Sequence, residues 1–397
     1  MDKSEFIKKK GMYIFVFGFF FIMFLVYEDP QESIFIIISL IALIKALKNA
    51  LTQPVSTIVT VFVVLIAVSY IVTCMFLLTQ RYNMELNNIN PLRKLEKTAV
   101  LVVYEGEPER YSLSKSLTNI KYNGDIREKI LTPFLLNKNK NNYKRIGKSD
   151  YKKNTIIFKN ELQQMLGENF KVYLSYMKDS KYIEECLIDI VNDGYHNVIV
   201  VPIVLTDGHT LEILKARIEK MKLFNLNINI KYVEPLWNNN EVALAYTKII
   251  EKYINKNKLT DIGVVLVGEG EKGYERGSHI KSAKENLMLR NKIKSYLIND
   301  LGLEERKIKT AWFNYIEPNY TEAVNDLLEY GVGNIIVVYV KPSVSNIDNN
   351  TIARKIKSNV EFPEAVKARV LDGFLKDKNI INEIKNMVEF ANMKKWE

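Results

Sequence analysis

The chain has 397 residues, a formal net charge of +10 and two cysteines. That length accommodates a membrane segment together with one large domain or two moderate ones. The two thiols, Cys74 and Cys186, exclude a disulfide framework and a thiolate metal cage. The positive charge lies in Lys/Asn-rich stretches without a nucleic-acid recognition motif, so anionic lipid headgroups explain it better than nucleic acid does.

Residues 1–82 have the composition of a transmembrane anchor with two or three helices. Met12 to Tyr27 and Thr57 to Thr79 are apolar runs close to the roughly 20 residues that span a bilayer. Ile34 to Ile44 is shorter, and it is either a third span or an interfacial segment. No small-residue cleavage site follows the first run, so we expect the anchor to stay in a protein of the cell membrane, with the lipid bilayer as its partner.

The side of the membrane depends on the number of spans. The lysines at positions 8–10 place the N-terminus inside. Three spans then put the remaining chain outside, and two put it inside. The cytoplasmic side is favoured because the family resemblance described below implies cytoplasmic chemistry.

Two related units follow, over residues 98–256 and 260–397. The pattern Gly-x-x-Asn followed by four β-branched residues begins at Gly194 and, with the same spacing, at Gly331. Strands alternate with helical patterns in both units, which is typical of a parallel sheet covered on both faces. The predicted fold class is therefore α/β, with two similar doubly wound parallel-sheet halves after an N-terminal transmembrane helical region.

Both units open with a strand that runs into Glu-Gly-Glu, at residues 105–107 and 269–271. Ligands of such sheets bind beyond the carboxyl ends of the strands, so two facing units enclose a cleft there. The first unit also carries an extra segment from Tyr111 to Lys153. It is either a flexible surface insertion or a lip over the cleft.

Three short motifs share their order with a known family. The first is Tyr143-Lys-Arg-Ile-Gly147 with Ser149 and Thr155 behind it, the second is the strand that carries Tyr176, and the third is the segment from Pro202 to His209. Together with the repeat, they make the chain from about Thr98 to Ile384 resemble the class II metal chelatases, the ferrochelatases and sirohydrochlorin chelatases. Those proteins hold a tetrapyrrole between two similar α/β halves.

The chain departs from that family at the catalytic positions. Gly268-Glu269-Gly270 stands where the family has Gly-His-Gly or Ser-Ala-His-Ser, so a carboxylate replaces an imidazole. Asp150 stands where the first motif has proline. The segment from Ser345 to Thr351 lacks the histidine and the glutamate that ferrochelatases carry there.

The resemblance implies an enzyme, a lyase that inserts a divalent metal into a tetrapyrrole, with Fe, Co or Ni as the metal substrate. His209 is then the metal ligand and proton acceptor, Glu269 its catalytic partner and a second ligand, and Glu105 a third ligand. The predicted tetrapyrrole-binding residues are Tyr104, Tyr176 and Asp348. The alternative is an inactive protein of the same fold that binds or senses a tetrapyrrole or a metal, and an interaction module with a vestigial cleft is a third reading.

Each candidate ligand also has a structural interpretation. A carboxylate in a strand-to-helix turn often partners a helix N-terminus, and His209 follows a turn. His196 and His279 lie in polar surroundings that predict solvent exposure. For the catalytic interpretation, we expect Glu105, Glu269 and His209 to converge on one cleft, with the pKa of a glutamate raised by burial near a second carboxylate.

Overall fold

The computed structural model describes residues 3–48, 54–80, 89, 95–254, 256–274, 277, 279–342, 347–371, 373 and 377–396. The chain divides into two compact units. The first unit contains residues 1–83 and 110–147, and the second contains residues 84–109 and 148–397.

The first unit is helical. Its helices are α1 (Lys3–Val26), α2 (Gln31–Leu47), α3 (Val55–Thr79), α4 (Leu113–Asn123), α5 (Ile126–Ile130) and α6 (Thr132–Ile146). Among the described residues, only α3 is long and apolar enough to cross a membrane, and the apolar part of α1 is shorter. All three apolar runs of the sequence are thus helical.

Most of the extra segment predicted between Tyr111 and Lys153 forms α4 to α6. These helices pack on α1 and α3. Lys140 of α6 is buried, donates a hydrogen bond to the Phe24 carbonyl at 3.0 Å, and pairs with Glu32 at 3.1 Å. Glu32 also accepts a hydrogen bond from Lys144 at 2.9 Å. This segment is therefore a helical part of the same unit as the apolar helices, and a flexible surface insertion does not describe it.

The second unit contains two parallel sheets. The first half comprises β1 (Leu95–Tyr104), α7 (Tyr151–Leu166), β2 (Phe170–Tyr176), α8 (Ile183–Asn192), β3 (Tyr195–Pro202), α9 (His209–Lys220), β4 (Asn229–Tyr232) and α10 (Asn240–Glu251). The second half comprises β5 (Ile262–Gly268), α11 (Ile280–Asn299), β6 (Ile308–Trp312), α12 (Tyr320–Glu329), β7 (Asn334–Tyr339), α13 (Ile347–Asn359), β8 (Lys367–Leu371) and α14 (Lys378–Met393).

The strand order is β2-β1-β3-β4 in one sheet and β6-β5-β7-β8 in the other, and every pair is parallel. The identical order confirms the predicted tandem α/β fold. The central strands β1 and β5 are buried on both faces, as expected for β-branched runs between helical layers.

Three apolar cores hold the second unit together. One lies between β1 and β3 and the helices α8 and α9, and its counterpart lies between β5 and β7 and the helices α12 and α13. The third and largest contains residues of both sheets together with α7, α10, α11 and α14. The two halves therefore share one core.

The last helix of each half packs on the other half. Helix α10 contacts α11, and α14 contacts α7 and β3. The Tyr246 hydroxyl of α10 donates a hydrogen bond to the Lys341 carbonyl at 2.8 Å, and Thr98 of β1 donates one to Asn392 of α14 at 2.9 Å. This exchange brings the carboxyl ends of β1 and β5 close to elements of the opposite half.

Candidate functional site

The two Glu-Gly-Glu triplets form matching turns at the carboxyl ends of β1 and β5. Gly106 and Gly270 both have positive φ, at 86° and 72°. A Cβ atom added to Gly106 would lie 2.6 Å from the Tyr176 Cβ, and one added to Gly270 would lie 1.9 Å from the Asn314 carbonyl oxygen. Only glycine fits either turn, so each triplet presents its two glutamates in the same way.

The first glutamates of the two triplets, Glu105 and Glu269, both contact the same lysine, Lys341. The Lys341 Nζ is 3.0 Å from the Glu105 Oε2 and 3.8 Å from the Glu269 Oε2. Lys341 follows β7 and its side chain is only 12% exposed, whereas the Glu269 side chain is 54% exposed. Lys178, which follows β2, also forms an ion pair and a hydrogen bond with Glu105.

These lysines decide the charge of Glu105. Burial by itself would raise the pKa of this carboxyl, but the Lys178 and Lys341 ammonium groups outweigh burial and hold the pKa well below its ordinary value. The expectation of a raised glutamate pKa is therefore wrong for Glu105. This half-buried carboxylate is paired with two ammonium groups.

The second glutamates of the triplets, Glu107 and Glu271, cap helices of the opposite half. Glu107 accepts a hydrogen bond from the backbone N–H of Ile347, the first residue of α13, at 2.9 Å. Glu271 accepts one from the backbone N–H of His209, the first residue of α9, at 3.0 Å. Both carboxylates thus partner a helix N-terminus, as their structural interpretation stated, but the helices belong to the other half.

His209 lies in a cluster with a second histidine. The rings of His209 and His279 are 5.6 Å apart, and Glu212 lies between them, with one oxygen 3.9 Å from the His209 Nδ1 and the other 4.0 Å from the His279 Nδ1. The His279 Nδ1 is also 3.3 Å from the Glu271 Oε2. The His279 side chain is only 17% exposed, so the expectation of a solvent-exposed ring is wrong.

The predicted tetrapyrrole-binding tyrosines lie in the core. Tyr104 is buried against Tyr151 and Phe158, with edge-to-face ring contacts. Tyr176 is also buried, and its hydroxyl forms a 2.7 Å hydrogen bond with Thr155. Neither ring presents a surface to a ligand in this conformation. The third residue, Asp348, belongs to α13, and its side chain lies outside the described residues.

The structure thus brings Glu105 and Glu269 together and places His209 in a neighbouring group. Glu269 and Glu271 are two residues apart, which limits their Cα atoms to about 7 Å, so the lysine group and the histidine group border the same sheet ends. Sequence reasoning missed Lys178, Lys341 and Glu212. The position of Lys341 directly after a parallel strand is the signal that marks it as a candidate.

Two parallel sheets in tandem, with charged side chains gathered at the carboxyl ends of both, define an α/β protein with a repeated fold. Residues 97–268 match the model of the ferrochelatase family. The match covers the first half of the second unit together with β5, and it confirms the resemblance to the class II chelatases over that region. No curated protein gives a significant sequence match to the chain.

Three solved structures are similar to the chain. SirB from Bacillus subtilis with Fe³⁺ is 15% identical, with 75% of this chain and 96% of that chain covered and a TM-score of 0.49. The sirohydrochlorin chelatase SirB from Bacillus subtilis subspecies spizizenii in complex with cobalt is 15% identical, over 74% and 93% of the two chains, with a TM-score of 0.44. CbiX, the terminal enzyme for biosynthesis of siroheme in denitrifying bacteria, is 10% identical, over 75% and 99%, with a TM-score of 0.43.

Proposed function

We propose that the protein is a membrane-tethered chelatase that inserts a divalent metal into a tetrapyrrole. The observation that carries the proposal is the meeting of Glu105 and Glu269, equivalent residues of the two halves, on Lys341. It supports a single polar region shared by both sheet ends, where this fold binds ligands. The ferrochelatase match, which includes Glu105 and His209, supports the reaction class.

Metal insertion requires weakly held metal ligands and acceptors for the two pyrrole protons. Imidazole and carboxylate together suit both tasks near neutral pH. His209 is the metal ligand and proton acceptor in this proposal, and the exposed carboxylate of Glu269 is its partner. Glu105 is a poor proton acceptor because its pKa is held low, so it contributes a fixed negative charge.

The tether is α3 together with α1, with α2 as an interfacial segment, and these two spans place the second unit at the cytoplasmic face of the cell membrane. The length and composition of α3 support this part of the proposal. An apolar macrocycle that partitions into lipid would then reach the enzyme without crossing water. Both substrates, the metal and the tetrapyrrole, are small molecules.

A second candidate function is binding or sensing without metal insertion. Lys341 contacts both Glu105 and Glu269, so its ammonium group competes with a metal ion for these carboxylates. That contact favours a protein that binds a tetrapyrrole or a metal ion but does not insert the metal into the tetrapyrrole. The test below separates the two functions.

The test uses the full-length protein in detergent micelles, with Co²⁺ and a free-base porphyrin that carries carboxylate side chains. Quenching of porphyrin fluorescence measures binding, and the change in the visible absorption bands measures metallation. We expect metallation above the protein-free rate, with a loss of at least about tenfold in His209→Ala because a general base contributes a factor of that order or more.

His196→Ala is the matched control, because His196 lies on β3 away from the cluster and contacts the Asn227 carbonyl. It should metallate the porphyrin at the wild-type rate. Binding without metallation by the wild-type protein would favour the second candidate function. Absence of both porphyrin binding and metallation would contradict metal insertion and tetrapyrrole binding alike.

A further inference from the structure

We infer that His209, Glu212 and His279 together form a divalent-cation site at the junction of the two halves. In the described part of the chain, this is the one group of three or more histidine, cysteine or acidic side chains whose ligand atoms are close enough to share an ion. The inference deepens the proposed function and rests on it for one point, that the bound ion is the metal substrate.

The three side chains are already near coordination geometry. One ligand atom of each lies within 4.8 Å of the others. Tetrahedral coordination at about 2.0–2.1 Å places ligand atoms about 3.3 Å apart, so small side-chain rotations close the group around an ion. His209 and Glu212 are both 61% exposed on the first turn of α9, where residues three apart share a face, so solvent leaves room for these two side chains to rotate.

Glu271 contacts both histidine residues. Its Oε2 accepts a hydrogen bond from the backbone N–H of His209 at 3.0 Å and lies 3.3 Å from the His279 Nδ1. Its Oε1 accepts a hydrogen bond from the Ser282 hydroxyl. Gly208 makes this approach possible, because a Cβ there would lie 2.0 Å from the Glu271 Oε1. A carboxylate behind a metal-binding histidine is a common device for orienting the ring.

Neighbouring lysines are neutralised by another carboxylate. Asp207 pairs with Lys281 at 2.5 Å and lies 4.0 Å from Lys215. The positive charge beside the histidine cluster is therefore compensated, whereas the Glu105 and Glu269 carboxylates have Lys341 between them.

The ligand chemistry suits a transition metal. Two imidazoles with one carboxylate bind Zn, Fe, Co, Ni and Cu ions, whereas Ca²⁺ and Mg²⁺ prefer oxygen ligands alone. Three protein ligands leave a coordination position open for water or for a substrate atom. An exposed site of this kind binds an ion weakly enough to release it to a tetrapyrrole at the same sheet ends.

The first test observes the histidines directly in the wild-type full-length protein. The chain has three histidines in all, so selective ¹⁵N-histidine labelling in detergent micelles yields three side-chain signal sets. Addition of Zn²⁺ should shift two of them, those of His209 and His279, and leave His196 in place. Shifts of none, of one alone, or of all three in parallel would overturn the inference.

The second test measures Co²⁺ affinity of the full-length protein by calorimetry and visible absorption. We expect His279→Ala and Glu212→Gln each to weaken binding by about tenfold or more, the order found when a metal site loses a supporting group. His196→Ala should bind as the wild type does. The melting temperature of each variant checks that the fold is intact, and unchanged affinity in a folded His279→Ala protein would overturn the site.

The two proposals fail separately. Co²⁺ binding that depends on His279, with no porphyrin binding or metallation, would leave the cation site standing and contradict the proposed function. Porphyrin metallation that depends on His209, with Co²⁺ affinity unchanged in both His279→Ala and Glu212→Gln, would leave the function standing and contradict the cation site.

Discussion

Glu105 is held in its charged form by two lysines from different halves of the second unit, Lys178 and Lys341. The folded-state pKa of this carboxyl lies below the ordinary value, so the ion pairs contribute stability above the unfolded-state pKa of about 4.3. That contribution is lost as the pH falls through the folded-state pKa. The stability that Glu105 contributes therefore depends on pH and on the contact between the two halves.

Glu105→Gln should lower the free energy of unfolding of the second unit by about 2 kcal/mol at pH 7, because two partly buried ammonium groups lose their carboxylate. The difference between variant and wild type should shrink as the pH falls from 7 to 3, because below the unfolded-state pKa of about 4.3 the unfolded wild-type chain takes up a proton that the folded chain does not. Urea unfolding of the full-length protein, followed by tryptophan fluorescence, measures it. All three tryptophans lie in the second unit.

Glu109→Gln is the control for this prediction. Glu109 pairs with Lys148 at 3.2 Å, but both side chains are more than half exposed. Exposed pairs contribute little to stability, so this variant should unfold like the wild type. Equal effects of the two substitutions would show that Glu105 is not a special partner of the lysines.

At the scale of elements, two helices begin on a carboxylate from the opposite half. Glu107 follows β1 and caps α13, and Glu271 follows β5 and caps α9. The repeat relates these two interactions to each other, so each half supplies a cap and receives one. The capping glutamates thereby couple the start of a helix in one half to the strand ends of the other.

Glu107→Ala should destabilise the second unit by about 1–2 kcal/mol, the usual effect of losing an N-terminal cap, because Glu107 is buried and accepts the Ile347 N–H. The same urea and tryptophan-fluorescence measurement applies. Glu322→Ala is a suitable comparison, since Glu322 is exposed in the first turn of α12, a helix capped by its own Asn319. A larger effect at Glu322 than at Glu107 would contradict the capping role.

At the scale of the molecule, the chain combines an apolar helical unit with an α/β unit built from a repeat. The exchange of α10 and α14 between the halves and the core that both sheets share make the α/β unit one cooperative structure. The apolar helices belong to the other compact unit, together with α4, α5 and α6.

The proposed tether predicts how the full-length protein leaves a membrane. High salt and alkaline carbonate should leave it in the membrane pellet, and detergent should release it, because α3, alone among the helices that the structure describes, has the length and apolarity of a bilayer span. Immunoblotting of the fractions measures the distribution, with known peripheral and integral proteins as controls. Intact protein in the carbonate supernatant would show that the apolar helices do not anchor it.

Local sequence determined much of the architecture. The β-branched runs flanked by helical patterns predicted the parallel strands, and the repeated Gly-x-x-Asn pattern predicted two similar halves. The apolar runs predicted α1, α2 and α3. These features follow from periodicity and residue size, which act over a few neighbouring residues. The two Glu-Gly-Glu triplets were also recognisable, because Gly106 and Gly270 meet a backbone requirement of their own turns.

The partners of the site residues were decided by tertiary structure alone. Tyr104 was expected at a ligand but faces the core, because both faces of a central parallel strand are covered. His279 was expected in solvent but lies beside His209, 70 positions earlier in the chain. Lys341 joins Glu105 to Glu269 only because the sheet ends of the two halves meet. Such contacts depend on how distant elements pack, and no local pattern of residues encodes that packing.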